Sequence, residues 1–322
     1  MKDYGQIPGG KIELQSLLYP FNQTYPHKLW SKFRWFRNSQ LPSLLSSLNK
    51  RKKWLTVIDR LGAPGDAIIS ANVIRCIKKQ YPGLKINCIT PHSELIRLDP
   101  NIDSINHIET FYSFDSTYWE LIVRKEKSQN IIEHNLQRLG IEQYEYKANY
   151  YLSKEEKERA KQEIIQFDKP ILAICTKSKE PVKNWSETNW FELIEKLESK
   201  FSIIQLGNDS EPNFQIPHRY AGKLSIRESA AILSYASYFI GPDSLLMHIA
   251  NGLNIKSTII FGGSRPVNCF GYADNINLST TLECSPCWIH HGYDECQNDL
   301  KCLNQISVSQ VLKSFNHNII SS

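Results

Sequence analysis

Phe239-Ile240-Gly241-Pro242-Asp243-Ser244-Leu245-Leu246-Met247-His248-Ile249-Ala250 joins two apolar runs through a Gly-Pro turn and a polar Asp-Ser pair. The first run reads as a buried strand, and the second has the spacing of a helix. A helix that starts straight after a strand leaves its first backbone N–H groups unpaired at the positive end of its dipole. An anion such as a diphosphate fits there without a metal. Asp243 and His248 stand at the edge of that anion site.

The same alternation extends outward. From Trp54 onward, short β-branched runs alternate with amphipathic stretches, the pattern of an α/β fold with a parallel sheet covered by helices. Strands are expected at 54–60, 84–89, 104–108, 170–175, 202–207, 237–241 and 256–261. Ile68, Ile69, Val73, Ile74 and Ile77 recur at helical intervals over 66–80, and Tyr81-Pro82-Gly83 ends that helix. Ser225-Ile226-Arg227-Glu228 is a capping box that starts a helix running to about Tyr235. The charged stretch from Ser153 to Asp168 reads as a solvated helix leading into a second half.

A length of 322 residues suits two domains. The expected division is an N-terminal extension over 1–53, a first domain over 54–160 and a second over 161–322. Each half carries a strand-to-helix turn with an aspartate, Gly65-Asp66 in the first and Gly241-Pro242-Asp243 in the second. Ligands in such sheets bind at the carboxyl ends of the strands. Two facing halves would place both turns on one cleft.

Hydrophobic residues make up 41% and charged residues 22%, which is ordinary for a globular chain and excludes a disordered class. Much of the net charge of +5 falls in the first 53 residues, where Lys28, Lys32, Arg34, Arg37 and Lys50 to Lys53 are interleaved with Trp30, Phe33, Trp35 and Phe36. Such mixing suits peripheral contact with a membrane surface or a basic helix packed on its own domain, and it is not a nucleic-acid-binding signature. No stretch approaches the roughly 18 apolar residues of a membrane span, and Met1-Lys2-Asp3-Tyr4-Gly5 lacks a signal-peptide core, so a cytoplasmic protein is expected, with the inner membrane surface as a peripheral site.

Arg60-Leu61-Gly62-Ala63-Pro64-Gly65-Asp66 follows the first strand, and its glycines let backbone approach a ligand. Asp66 opens a helix, where the plain structural role is an N-cap. Thr176-Lys177-Ser178-Lys179-Glu180-Pro181-Val182-Lys183-Asn184-Trp185-Ser186 brings three lysines to the mouth of the second sheet, either to hold phosphate or as a solvated loop. Cys76, Cys88, Cys175 and Cys269 lie among apolar neighbours and read as buried free thiols. Cys284, Cys287, Cys296 and Cys302 form a C-x2-C-x8-C-x5-C cluster, whose four thiolates suit one structural zinc or iron ion, with free thiols as the alternative. His290 and His291 lie inside that loop as substitute ligands.

Taken in order, these segments resemble the heptosyltransferases of glycosyltransferase family 9. The matching segments are Gly65-Asp66, Tyr81-Pro82-Gly83, Leu98-Asp99-Pro100-Asn101-Ile102-Asp103, Lys183-Asn184-Trp185 with Trp190, Gly241 to His248, and Phe261-Gly262-Gly263-Ser264-Arg265-Pro266. The resemblance covers about 54–315 and implies a GT-B architecture of two Rossmann-like domains facing a cleft, with inverting transfer of a sugar from a nucleotide diphosphate. It implies ADP-heptose as donor, a glycan or protein acceptor, and no metal at the diphosphate. It assigns Asp66 as general base, Lys183 as phosphate-binding lysine and Asp243 as the partner of sugar hydroxyls, with the backbone of Ser244, Leu245 and Leu246 at the diphosphate; His248, one turn into that helix, reads either as a packed structural residue or as a donor-binding group that assists the leaving group. A similar cysteine set recurs at this end of iron-bearing protein heptosyltransferases of the family. The sequence departs from the family where Leu245 replaces a glycine, Asn72 and Lys256 replace prolines and Arg265 replaces an acidic or polar residue, which marks a divergent member.

Two other classes fit parts of the sequence. One is a non-catalytic, metal-containing module that binds nucleotide sugars. The other is a zinc ribbon with a nucleic-acid-binding N-terminus, against which the long Rossmann-like middle argues.

Overall fold

The computed structural model describes residues 43–107, 112–289 and 296–320. Most of the basic-aromatic extension, up to residue 42, lies outside them, as do His290 and His291. Backbone contacts divide the chain into two units, Met1–Glu120 with Ile131–Glu145, and Leu121–Asn130 with Tyr146–Ser322. The division falls ahead of the 160/161 boundary expected from sequence. Its physical reason is the charged helix Lys154–Ile164, whose Glu156 carboxylate forms a buried ion pair at 2.6 Å with Arg227 of the second unit.

In the first unit, helix α1 over 43–50 leads to β1 (Trp54–Asp59), α2 (Pro64–Gln80), β2 (Lys85–Ile89), α3 (Ser93–Ile96), β3 (Ser104–Ile105), β4 (Ser113–Ser116), α4 (Trp119–Arg124) and α5 (Ile131–Gln137), with most of α4 counted in the second unit. All strands are parallel, in the order β3-β2-β1-β4, with Val57 in register with Cys88 on one side and Phe114 on the other. A strand buried on both faces must be apolar throughout, and Val57, Ile86 and Cys88 are fully buried. Ile74 and Ile77 of α2 are also fully buried, each such side chain contributing about 1.5–3 kcal/mol.

The second unit contains α6 (Lys154–Ile164), β5 (Ile171–Ile174), a 3-10 turn at Pro181–Lys183, α7 (Glu187–Leu197), β6 (Ser202–Gln205) and β7 (His218–Arg219). It continues with α8 (Ile226–Leu233), β8 (Tyr238–Pro242), α9 (Leu245–Gly252), β9 (Ser257–Gly262), α10 (Val267–Phe270), β10 (Ile276–Ser279), α11 (Lys301–Asn304) and α12 (Val308–Ile320). Its six parallel strands run in the order β10-β9-β8-β5-β6-β7. The core joins Leu172, Ile174, Trp185, Trp190, Tyr238 and Ile240 to Val311 and Phe315 of the last helix. Ser225 and Glu228 form the expected reciprocal capping box at the start of α8.

Each sheet reverses direction once. In the first unit the chain goes from β1 to β2 and returns to the other side of β1 as β4; in the second it goes from β5 to β6 and returns as β8. Loops leaving the carboxyl ends of such neighbouring strands diverge and open a crevice, so β1/β4 and β5/β8 are the places to look for ligands. Each unit is a parallel sheet with helices between its strands, the Rossmann-like α/β pattern expected from sequence. No helix among the described residues is long and apolar enough to cross a membrane.

Candidate functional site

At the β5/β8 reversal, Pro242 ends β8 and Ser244 caps α9 in an extended conformation, so the strand-turn-helix read from sequence is present. Gly241 is required there, because a Cβ would lie 2.6 Å from the Phe239 ring and 3.2 Å from the Cys175 carbonyl. The first-turn N–H groups of α9, at Ser244 to Leu246, point out of the carboxyl edge by helix geometry. Asp243 is buried at 4% exposure.

The facing loop after β5 is held from below by Glu211, a buried carboxylate that accepts hydrogen bonds from the N–H groups of Thr176 and Lys177 at 2.9 and 3.0 Å and from the Thr176 hydroxyl at 2.5 Å. Asn184 closes the loop, accepting from Ser178 N–H at 2.6 Å and donating to its carbonyl at 3.2 Å. The 3-10 turn then aims Lys183 across the reversal, 3.0 Å from Asp243 Oδ2 and 3.2 Å from Glu180 Oε2. Of the three lysines in this loop, Lys183 alone is built into the crevice: Lys179 is exposed and Lys177 pairs with Glu187 at 3.5 Å.

His248, one turn into α9, is buried, and its Nδ1 lies 2.7 Å from the hydroxyl of Tyr272. Tyr146 stacks on Tyr272 with centroids 4.7 Å apart. Burial pushes the imidazole pKa down to about 4, Asp243 opposing the shift and Lys183 adding to it. His248 is therefore neutral at physiological pH, a hydrogen-bonding group without charge.

At the β1/β4 reversal the structure corrects the capping role expected of Asp66. The N-cap is Ala63, Pro64 and Gly65 fill the first turn, and Asp66 is the third helical residue. Its Oδ2 reaches back to accept from the Ala63 N–H at 3.1 Å, while Tyr118, which follows β4, donates its hydroxyl to Oδ1 at 2.8 Å. The turn Pro64-Gly65 displaces the carboxylate from the cap position because proline needs no N–H there.

Sequence reasoning missed what lies beneath Asp66. Asp59, the last residue of β1 and fully buried, accepts from Gly62 N–H at 3.0 Å and from the Thr90 hydroxyl at 2.9 Å. Burial, then the neighbouring Asp66 charge, raises its pKa to about 7 against the pull of those hydrogen bonds. His92 Nε2 lies 3.1 Å from the Gly62 carbonyl on the other side of the same turn. The available signal was a carboxylate at the carboxyl end of a buried parallel strand.

The four thiols of the C-terminal cluster are free, Cys284 exposed and the other three half-buried. Among the described residues no three metal-ligating side chains are gathered into a coordinating group. Burial raises the Cys302 thiol pKa, and Cys287 and Cys296 add to the shift. Cys302 lies against Gly263, where an added Cβ would come 2.9 Å from Cys302 Cβ, and Cys287 donates its N–H to the Gly263 carbonyl at 3.3 Å. Cys76, Cys88, Cys175 and Cys269 are buried free thiols, as expected.

These two crevices, one acidic and one holding a lysine at a helix N-terminus, can be compared with known proteins. No curated protein sequence matches the chain. Among solved structures, a glycosyl transferase family 9 protein from Veillonella parvula is similar at TM-score 0.66 and 14% identity, over 84% of this chain and 98% of its own. The iron-containing dodecameric glycosyltransferase TibC of enterotoxigenic E. coli aligns at TM-score 0.66 and 19% identity, over 82% of this chain and 75% of its own, and has also been solved with ADP-D-β-D-heptose. ADP-heptose lipopolysaccharide heptosyltransferase II of E. coli aligns at TM-score 0.59 and 13% identity, over 84% and 99%. The sequence profile of glycosyltransferase family 9 (heptosyltransferase) matches residues 114–293, more than half of the chain. With the GT-B fold and a family profile that spans the second crevice, this chain belongs to glycosyltransferase family 9 and is a glycosyltransferase.

Proposed function

We propose that the enzyme is an inverting heptosyltransferase that moves heptose from ADP-heptose onto a hydroxyl of a bacterial glycoconjugate or protein. The observation that carries this reading is the Lys183–Asp243 pair at 3.0 Å, set at the β5/β8 reversal beside the first turn of α9. A cation and outward N–H groups at one point suit a diphosphate. The TibC complex supports ADP-heptose as the donor class.

In this reading the donor diphosphate replaces Asp243 as partner of Lys183, and the N–H groups of Ser244, Leu245 and Leu246 hold its remaining oxygens. Asp243 then accepts from sugar hydroxyls. His248, kept neutral, hydrogen-bonds without competing for the negative charge. The acceptor hydroxyl gives its proton to Asp66 as its oxygen bonds the anomeric carbon, and the bond from that carbon to the diphosphate breaks, releasing ADP. Attack opposite the leaving group inverts the anomeric centre. Charge building on the diphosphate is stabilised by Lys183 and the helix N–H groups, so no metal is needed there.

Cys284, Cys287, Cys296 and Cys302 would hold one structural zinc or iron ion, a role supported by four soft sulfur donors at C-x2-C-x8-C-x5-C spacing. With four protein ligands no coordination position is open for catalysis.

Thermal shifts with ADP, UDP, GDP and their sugars test the donor. ADP-heptose at 100 times its dissociation constant should add about 2.7 kcal/mol of stability. Stabilisation by uridine or guanosine nucleotides but not by ADP would overturn the donor assignment.

A further inference from the structure

Lys183 faces two carboxylates, Glu180 at 3.2 Å and Asp243 at 3.0 Å, in a setting where none of the three side chains is more than 15% exposed. One ammonium between two buried carboxylates leaves a net negative charge, which repels a diphosphate. The fourth member of the cluster removes that charge: Arg265, 4% exposed, places Nη2 3.6 Å from Glu180 Oε2. Its guanidinium is fixed from behind, donating Nη1 to the Ile289 carbonyl at 2.7 Å and lying 5.6 Å from the centroid of the Trp288 ring. The Trp288 backbone is fixed in turn, donating its main-chain N–H to the Ser264 carbonyl at 2.9 Å.

We propose that Arg265 is a positioning residue of the donor site, neutralising Glu180 so that Lys183 can leave its carboxylates for the donor's diphosphate. This rests on the assignment of Lys183 to the diphosphate. Arginine suits the task because it stays charged when buried and its planar fork fixes its direction. Trp288 and Ile289, directly after Cys287, supply both contacts that hold Arg265, so the start of the cysteine loop fixes the direction of the guanidinium.

ADP binding by calorimetry on the full-length protein tests the proposal, with melting temperature recorded for each variant. Arg265→Gln should weaken ADP binding roughly 10-fold or more, the scale of a charged hydrogen bond. Glu180→Gln should lower the melting temperature yet tighten ADP binding severalfold, because it frees Arg265 and leaves Lys183 with one carboxylate in place of two. Adding Glu180→Gln to Arg265→Gln should restore affinity toward wild type. A merely structural arginine predicts losses in both single variants and no rescue, and that pattern overturns the proposal. If Arg265→Gln does not fold, the Glu180→Gln single variant decides, and unchanged or weakened ADP binding overturns it. Wild type that binds ADP with Arg265→Gln binding equally well overturns the Arg265 role alone, whereas wild type that binds no ADP overturns the donor site itself.

Discussion

The two strand reversals share a topology and differ in electrostatics. At β1/β4 the turn brings two carboxylates together, Asp66 held by Tyr118 above a buried Asp59 whose pKa rises to about 7. At β5/β8 it brings two cations to two carboxylates, Lys183 and Arg265 with Glu180 and Asp243. A crevice with excess carboxylate can take up a proton, and one with balanced charge at a helix N-terminus can take up an anion. In the proposed mechanism this difference divides the work, with the first crevice deprotonating the acceptor and the second holding the leaving group.

The largest expected effect is on the acidic side. Asp66→Asn should reduce kcat about 10²- to 10⁴-fold with ADP-heptose and acceptor, the usual scale for a general base. Asn can still accept the Ala63 N–H, so the melting temperature should hold. Asp66→Ala should in addition lose about 1 kcal/mol of capping. Near-normal turnover in the Asn variant would leave the first crevice without a catalytic role.

The pH dependence of stability should separate the crevices by sign. Asp59 ionises at about 7 in the folded chain against 3.8 as a free carboxyl, so its stabilising contribution is present below the lower value and lost as pH rises through the window. Asp59→Asn should abolish that loss, gaining about 2–4 kcal/mol on wild type between pH 4 and 8 in denaturant unfolding. His248 goes the other way. Its pKa falls from 6.5 to about 4 on folding, so its contribution is present above the higher value and lost as pH falls toward the lower. His248→Asn should flatten that limb by about 2–3 kcal/mol. Matching slopes in the two variants would contradict the assigned environments.

A smaller effect concerns the cysteine loop. Wild type purified without an affinity-tag metal should carry about one zinc or iron per chain, and Cys287→Ser should lose it together with a few degrees of melting temperature. Stable, metal-free wild type would make the four thiols a plain surface loop.

Much of this was legible from sequence because buried parallel strands announce themselves. Val57, Ile86, Ile174 and Ile240 sit in apolar runs, and the turn at Gly241-Pro242-Asp243-Ser244 has one reading. β4 was missed because Ser113-Phe114-Asp115-Ser116 is short and polar, and β10 because Ile276-Asn277-Leu278-Ser279 alternates at a sheet edge. Missing β4 hid Tyr118, and with it the hydrogen bond that fixes Asp66. Glu211 could not be found either, since nothing in Asn208-Asp209-Ser210-Glu211 marks which acidic residue turns inward. Arg265 was visible as a departure from the family, but its partner Glu180 lies 85 positions away in sequence and only the fold joins them.

The most direct test of the division between crevices is calorimetric titration of ADP into wild type, Asp66→Asn and Lys183→Ala. Wild type and Asp66→Asn should bind alike, and Lys183→Ala should lose about 1.5–3 kcal/mol, the range for a hydrogen bond to a charged group. Undiminished ADP affinity in Lys183→Ala, or a comparable loss in Asp66→Asn, would contradict it.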